Sequence, residues 1–225
     1  MPPGTHEPQL VSAGPPAARE EWGFRLLWAL RRRWLAARLR WDHGINWCAA
    51  AAWGVHLGSG CRFYGRVSFE RCPGSLIEIG DLCSFRSGAT SNRIGLNRPC
   101  MLTTLRPGSS IRLGRRVGLS GAVIGAAVSI EVADDVMCGA NVTITDTDWH
   151  GIPPGERRSP GKAAPVVIGP NVWLGLNVVV LKGVVIGANT VVAAGSVVSR
   201  SLPANVIAGG APACELRKLG GAAHG

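Results

Sequence analysis

No stretch of this sequence reaches the roughly 18 uninterrupted apolar residues that a membrane-spanning helix needs. The N-terminus also lacks the basic-then-apolar order of a secretory leader. Cysteine occurs seven times but never as Cys-x-x-Cys. An odd number without that spacing disfavours both a disulfide scaffold and a zinc ribbon, and it points to reduced thiols in a cytoplasm. Charged residues make up only 17% of the chain against 46% hydrophobic, which excludes a charge-swollen disordered polymer. Acidic residues are the scarcer sign, 14 against 24 basic, for a formal net charge of +10.

The 225 residues suffice for one domain, or one domain with an appendage, and for a core that needs no disulfide staples. Composition is uneven. Nearly all of the 31 glycines follow Gly54, and six of the eight tryptophans lie between Trp22 and Trp53. Residues 1–19 are rich in Pro, Gly and Ala without apolar periodicity and are expected to form a disordered tail. Over 20–50 a basic amphipathic helix is expected: Leu27, Leu30, Trp34, Ala37 and Trp41 share one face, and Asp42 and Gly44 end that pattern. Arg25, Arg31, Arg32, Arg33, Arg38 and Arg40 occupy much of the remainder. Such a helix either packs its apolar stripe on the main domain, leaving the arginines in water, or lies through 20–41 on the anionic inner face of a membrane. The basic run is short and has no recognition motif beside it, which argues against a nucleic-acid partner.

The rest of the chain is periodic. Ile168, Leu174, Val180, Ile186, Val192 and Val198 recur every six residues, with Gly169, Gly175 and Gly187 following three of them. Small or β-branched residues stand four positions after the aliphatics at Val172, Val178, Val184, Thr190 and Ser196. Upstream the same phase runs through Leu57, Phe63 and Phe69, then Ile79 and Phe85, Leu113 and Leu119, and Val132, Cys138 and Ile144. A period of six suits neither an α-helix nor a long strand. It suits a chain that turns after each short strand, three strands to a coil, each coil burying its apolar face against its neighbours. The stretch from Ser91 to Ile111 carries the pattern weakly and is expected to hold loops or an imperfect coil. This hexad resembles that of the hexapeptide-repeat acyltransferases. The resemblance implies an all-β solenoid, a left-handed parallel β-helix over 51–212, with an N-terminal helical extension and a C-terminal tail over 213–225.

The hexads stop after Ile144 and resume at Ile168, and a long polar break in a regular solenoid tends to be functional. The run Asn141-Val-Thr-Ile-Thr-Asp-Thr-Asp-Trp-His150, then Arg157-Arg158, then Pro165-Val-Val-Ile-Gly-Pro-Asn-Val-Trp-Leu-Gly175 resembles the sugar O-acetyltransferase branch of that superfamily. The segment Leu202-Pro-Ala-Asn-Val-Ile-Ala-Gly-Gly-Ala-Pro212 matches the closing run of that branch. The resemblance implies an acetyl-CoA-dependent transferase with an active-site loop over 145–165 and His150 as general base. A sugar hydroxyl is too weak an acid to attack a thioester unaided, and a neutral imidazole can take its proton as the bond forms.

Asp146 and Asp148 would orient the histidine or hold a sugar hydroxyl, with local turn capping the plain alternative. Trp149 and Trp173 would line the acceptor site or pack on coil edges. Arg157 and Arg158 would meet an anionic acceptor, meet the phosphates of coenzyme A, or stay solvated. The resemblance implies coenzyme A contacts at Leu176, Ala194, Ser199, Arg200 and Arg217. Leu176 stands where relatives carry serine, and Cys214 where a second arginine is common. The upstream run Leu119-Ser-Gly-Ala-Val-Ile-Gly-Ala-Ala127 lacks the polar residues with which galactoside and maltose enzymes position their sugars, so a different acceptor is expected.

The resemblance further implies a homotrimer, in which a neighbour supplies the second wall of the pantetheine site. No metal is expected, because a zinc anhydrase on this fold needs three histidines and only His56 and His150 fall in the repeat. The roughly 50 residues before the repeat are too few for the dinucleotide-type domain of a nucleotidyltransferase. Transfer to an amine and a non-catalytic scaffold are the competing functions.

Overall fold

An inward aliphatic at every sixth residue requires three turns of the chain per coil. In the computed structural model, which describes residues 18–220 with side chains from Trp22, Ile168 pairs with Ile186, Leu174 with Val192 and Val180 with Val198. One coil is therefore 18 residues, from the difference between partners. Most of the expected 1–19 tail, and residues 221–225, lie outside the described residues.

Strands of successive coils stack in parallel into three sheets. The first holds His56–Leu57, Leu76–Ile79, Ser110–Leu113, Ser129–Val132, Val166–Ile168 and Val185–Ile186. The second holds Arg62–Tyr64, Ser84–Arg86, Gly118–Ser120, Met137–Ala140, Trp173–Leu174 and Val191–Val192, and ends in the hairpin Val206–Gly210 and Ala213–Lys218. The third holds Ser68–Arg71, Met101–Thr104, Val123–Ala126, Thr143–Thr145, Val179–Val180 and Val197–Val198. The fold is the left-handed parallel β-helix that the resemblance implies. The weak stretch is as expected: no regular strand occurs between Arg86 and Met101.

The hexad aliphatics fill the interior, joined by Leu102, Ile111, Ile124 and Ile130, all fully buried. Phe63 and Phe85 stack with ring centroids 5.1 Å apart. The glycines beside the aliphatics answer to close approach rather than to backbone sign. A Cβ on Gly175 would sit 2.7 Å from the amide nitrogen of Ala194 in the next coil. At one corner of the last coils the left-handed position falls to asparagines, which tolerate that conformation. Asn171, Asn189 and Asn205 have φ of 57°, 60° and 60°. Their amides form a ladder, Asn171 Nδ2 donating to Asn189 Oδ1 at 3.0 Å and Asn189 Nδ2 to Asn205 Oδ1 at 2.8 Å.

Solenoid ends must be covered. Helix α1 (Ala18–Ala52) runs past the expected end at 50, and its last turns close the first coil. The buried Asp42 accepts the Gly65 N–H at 2.9 Å. The buried Asn46 accepts the Val67 N–H at 2.8 Å and donates to the Gly65 carbonyl at 3.1 Å. Asp42 therefore does not end the helix; with Asn46, Ala49 and Ala50 it forms the covering face. At the other end, residues 213–218 are not a tail but an antiparallel strand paired with Val206–Gly210.

The chain divides into two compact units between Arg38 and Leu39, so the second part of α1 belongs with the β-helix. In the first unit Leu27, Leu30 and Trp34 are 65%, 54% and 57% exposed. Arg32 lies over the Trp28 ring at 4.7 Å and Arg38 over Trp34 at 5.1 Å.

Candidate active site

The break leaves the third sheet at Thr145 and rejoins the first at Val166, so it projects from the corner between those sheets. Asp146 anchors its root. Fully buried, it accepts the Ala127 N–H on Oδ1 at 2.6 Å and the Val128 N–H on Oδ2 at 2.7 Å. These amides belong to the same corner of the preceding coil, and the carboxylate ties the loop to it. Asp146 thus has no face for a sugar hydroxyl, and the expectation that it contacts the acceptor is corrected to a capping role.

Two chain segments then run together as a neck. Thr147 bridges Ala163, Asp148 N–H donates to the Lys162 carbonyl at 3.0 Å, and Ala164 N–H to the Asp146 carbonyl at 2.9 Å. Gly161 permits the approach, since a Cβ there would lie 2.8 Å from both Asp148 Cβ and the His150 carbonyl. Asp148 is an anchor too. Its Oδ1 accepts Lys182 Nζ at 2.6 Å, from a corner of the next coil. Its Oδ2 is buried without a hydrogen-bond partner among the described residues. Lys182 was missed from sequence, yet it had a signal: it is the one charged residue between Ile168 and Val198.

The chain reverses at Trp149. Its φ is +66°, and the His150 N–H reaches back to the Asp148 carbonyl at 2.7 Å. This is the strained γ-turn with positive φ, rare for a bulky residue and sustained only where surroundings enforce it. The enforcement is visible. Trp149 Nε1 donates to Thr145 Oγ1 at 3.1 Å, its N–H to Thr147 Oγ1 at 3.3 Å, and its ring lies against Gly125 of the third sheet.

The turn delivers His150, exposed, to the outer part of the loop. Its Nδ1 lies 3.0 Å from the Arg157 carbonyl. A carbonyl only accepts, so Nδ1 carries a proton, and in the neutral imidazole Nε2 is then the nitrogen with the lone pair. Nε2 has no partner among the described residues, the arrangement a general base needs. The Arg157 guanidinium closes the loop tip instead of projecting from it, its Nε donating to the Ile152 carbonyl at 3.1 Å.

The remaining candidates separate by corner. Ser199 and Arg200, both exposed, follow the third-sheet strand Val197–Val198 and share the corner from which the loop projects. Leu176 and Ala194 lie at the opposite edge of the third sheet, stacked in successive coils, with the Gly195 N–H on the Leu176 carbonyl at 2.7 Å. Arg217 is exposed on the terminal strand of the second sheet, opposite Ile207. Trp173 also lies on the second sheet, half-exposed and paired in register with Met137 and Val191. One chain therefore does not bring Trp149 and Trp173 together. No group of three or more His, Cys, Asp or Glu side chains among the described residues could hold a metal ion.

Residues 165–200 match the family model described as bacterial transferase hexapeptide, six repeats. Over those residues the chain carries the repeat that this family model describes. Among curated hexapeptide-repeat relatives, it is 46% identical over 91 residues to the galactoside O-acetyltransferase of Lactococcus lactis, covering 40% of this chain and 44% of that one. It is 36% identical over 115 residues to the galactoside O-acetyltransferase of Escherichia coli, covering 50% and 56%. The chain thus spans about half the length of the curated relatives it matches. A crystal structure of a hexapeptide-repeat containing acetyltransferase from Vibrio cholerae superposes with a TM-score of 0.52 at 25% identity, over 80% of this chain and 82% of that one.

Proposed function

We propose that this hexapeptide-repeat protein transfers an acetyl group from acetyl-CoA to a hydroxyl of a sugar or glycosylated acceptor, with His150 as general base. One observation carries the reading: the Arg157 carbonyl fixes the His150 tautomer that leaves Nε2 basic. Nε2 takes the hydroxyl proton as the acceptor oxygen bonds to the thioester carbon. The carbon–sulfur bond then breaks, and the imidazolium returns the proton to the departing thiolate, leaving an acetyl ester and free coenzyme A. The likeness to galactoside O-acetyltransferases supports acetyl transfer to oxygen. The coenzyme A role of Leu176, Ala194, Ser199, Arg200 and Arg217 belongs to the same proposal. Leu176 and Ala194 at one edge of the third sheet and Ser199 and Arg200 at the other, with Arg217 on the terminal strand of the second, support a cofactor laid along that part of the solenoid.

The protein works as a homotrimer in this reading. Trp173 can join a site at the His150 loop when a neighbouring copy supplies it. Outward residues near the C-terminal coils also favour contact: Met137 and Trp173 on the second sheet and Val167 and Val185 on the first are all substantially exposed, whereas the first-sheet face further back carries the ion-paired ladder Glu78, Arg112 and Glu131.

His150→Ala tests the reading. Release of free thiol from acetyl-CoA, followed with a panel of sugar acceptors, falls by about 10²–10⁴-fold in kcat and kcat/KM together, while acetyl-CoA binding is nearly unchanged. Retention of more than about half of wild-type transfer would place the base elsewhere. Transfer to amino sugars but to no hydroxyl acceptor would replace the O-transfer reading with N-transfer.

A further inference from the structure

We propose that the first unit of α1 docks on the surface of an anionic phospholipid bilayer, lying in the interface without crossing it. Its residues suit neither water nor a second copy of themselves. Leu26, Leu27, Leu30, Trp34 and Ala37 fall within about 100° of one another around the helix, at ~100° per residue. All five are exposed, Leu26 at 63%. Arginines border this stripe on both sides: Arg31 and Arg38 along one flank, Arg33 along the other. Trp22 and Trp28 add two large aromatic rings, 75% and 62% exposed. No helix of the described residues is long and apolar enough to span a membrane. An apolar stripe with arginines at its borders is the form that sinks to the level of the acyl boundary while its charges reach back to phosphates.

Charge selects the occupant. Between Trp22 and Arg38 there are five arginines and no aspartate or glutamate. Side-by-side copies of this segment would bring ten positive charges (two times five) within about a Debye length, against which Glu20 and Glu21, just before Trp22, set only four negative ones (two times two). A protein partner would have to offer an acidic groove wide enough for a stripe this broad, whereas an anionic bilayer supplies both the apolar depth and a continuous plane of negative charge. The arginine–tryptophan stacking already present, Arg32 on Trp28 and Arg38 on Trp34, suits the headgroup level, where both groups are favoured.

Sedimentation of the full-length protein with phosphatidylcholine vesicles, with and without phosphatidylglycerol, tests this. Binding is expected only with phosphatidylglycerol, and tryptophan emission is expected to be quenched by lipids brominated along the acyl chain. The variant R31Q/R32Q/R33Q should bind roughly 100-fold more weakly, at about fivefold per arginine near the surface. L30S/W34S should lose the bromine quenching. Both variants change exposed side chains and should keep the wild-type thermal transition, which separates lost docking from lost folding. Equal binding to neutral and anionic vesicles, or none above background, overturns the proposal. So does self-association that L30S/W34S abolishes and vesicles do not compete with, since the stripe would then be covered by a second copy.

Discussion

Asp146→Ala separates a carboxylate that builds the site from one that works in it. The wild-type side chain is fully buried and accepts two backbone N–H groups, from Ala127 at 2.6 Å and Val128 at 2.7 Å. Truncation strands both donors beside the buried Ala126 and Ala127. Each unmet buried donor costs about 1–3 kcal/mol, so the pair costs about 2–6 kcal/mol. At about 2–4 °C per kcal/mol for a chain of this size, the thermal midpoint should fall by roughly 4–24 °C. A water admitted to the vacated space would bring the loss toward the lower end. Asp146→Asn keeps one acceptor oxygen and should show an intermediate loss. Calorimetric unfolding of the intact protein gives the midpoint, and thiol release from acetyl-CoA gives activity, measured well below the transition. In Asp146→Asn, activity should return largely on cooling, because the loop root is weakened and not removed. A midpoint shift below about 2 °C in Asp146→Ala with a tenfold fall in kcat would refute the reasoning and make Asp146 a ligand-facing group.

Lys182→Met leaves the Asp148 carboxylate half-buried without its cation; stability should fall by about 1–2 kcal/mol, less than for a fully buried pair, and trypsin should cleave faster after Arg157 or Arg158. Asn46→Ala strands the Val67 N–H and the Gly65 carbonyl in a buried site and should cost about 2–4 kcal/mol. A chain beginning at Leu39 should therefore fold and bind acetyl-CoA, whereas one beginning at residue 50 should lose its cooperative unfolding transition. In alkylation followed by mass spectrometry, the exposed Cys48 and Cys214 should react first. Cys138 should stay unmodified until the fold opens, because burial pushes its thiol up to about 12 and keeps it protonated at ordinary pH.

The β-helix was legible because its signal is local and redundant. Ile168 to Val198 states the hexad six times over two coils, and every inward residue repeats the demand of the one before it. The N-terminal helix was legible in kind but not in facing. Leu27, Leu30 and Trp34 form the more apolar stripe, yet the face that covers the first coil is built on Asp42 and Asn46. The reason is chemical: an open solenoid end presents unpaired backbone groups, and only polar side chains can meet them. Hydrophobic periodicity has no means of registering a helix face whose task is hydrogen bonding. The terminal strand over 213–218 escaped for a related reason, since it pairs antiparallel and leaves the hexad phase.

At the site, the sequence picks out the proposed base but not the parts that position it. His150 stands out through the motif around it. Its partner is a backbone carbonyl, that of Arg157, and a carbonyl carries no residue identity for a sequence to display. Arg157 drew notice for its charge, while what bears on the chemistry is its main chain, held in place because its own guanidinium grips the Ile152 carbonyl. The same inversion applies to the acidic pair. Asp146 and Asp148 look like acceptor ligands beside a histidine, and each is instead turned back toward the solenoid, one to two amides and one to Lys182. A loop bearing a base at its outer part must be rigid at its root, and in a chain with few acidic residues those two carboxylates supply the rigidity. Substitutions at the root should therefore alter turnover by moving His150, and an Arg157→Ala change, which keeps the carbonyl but frees the tip, should lower kcat more than acetyl-CoA affinity.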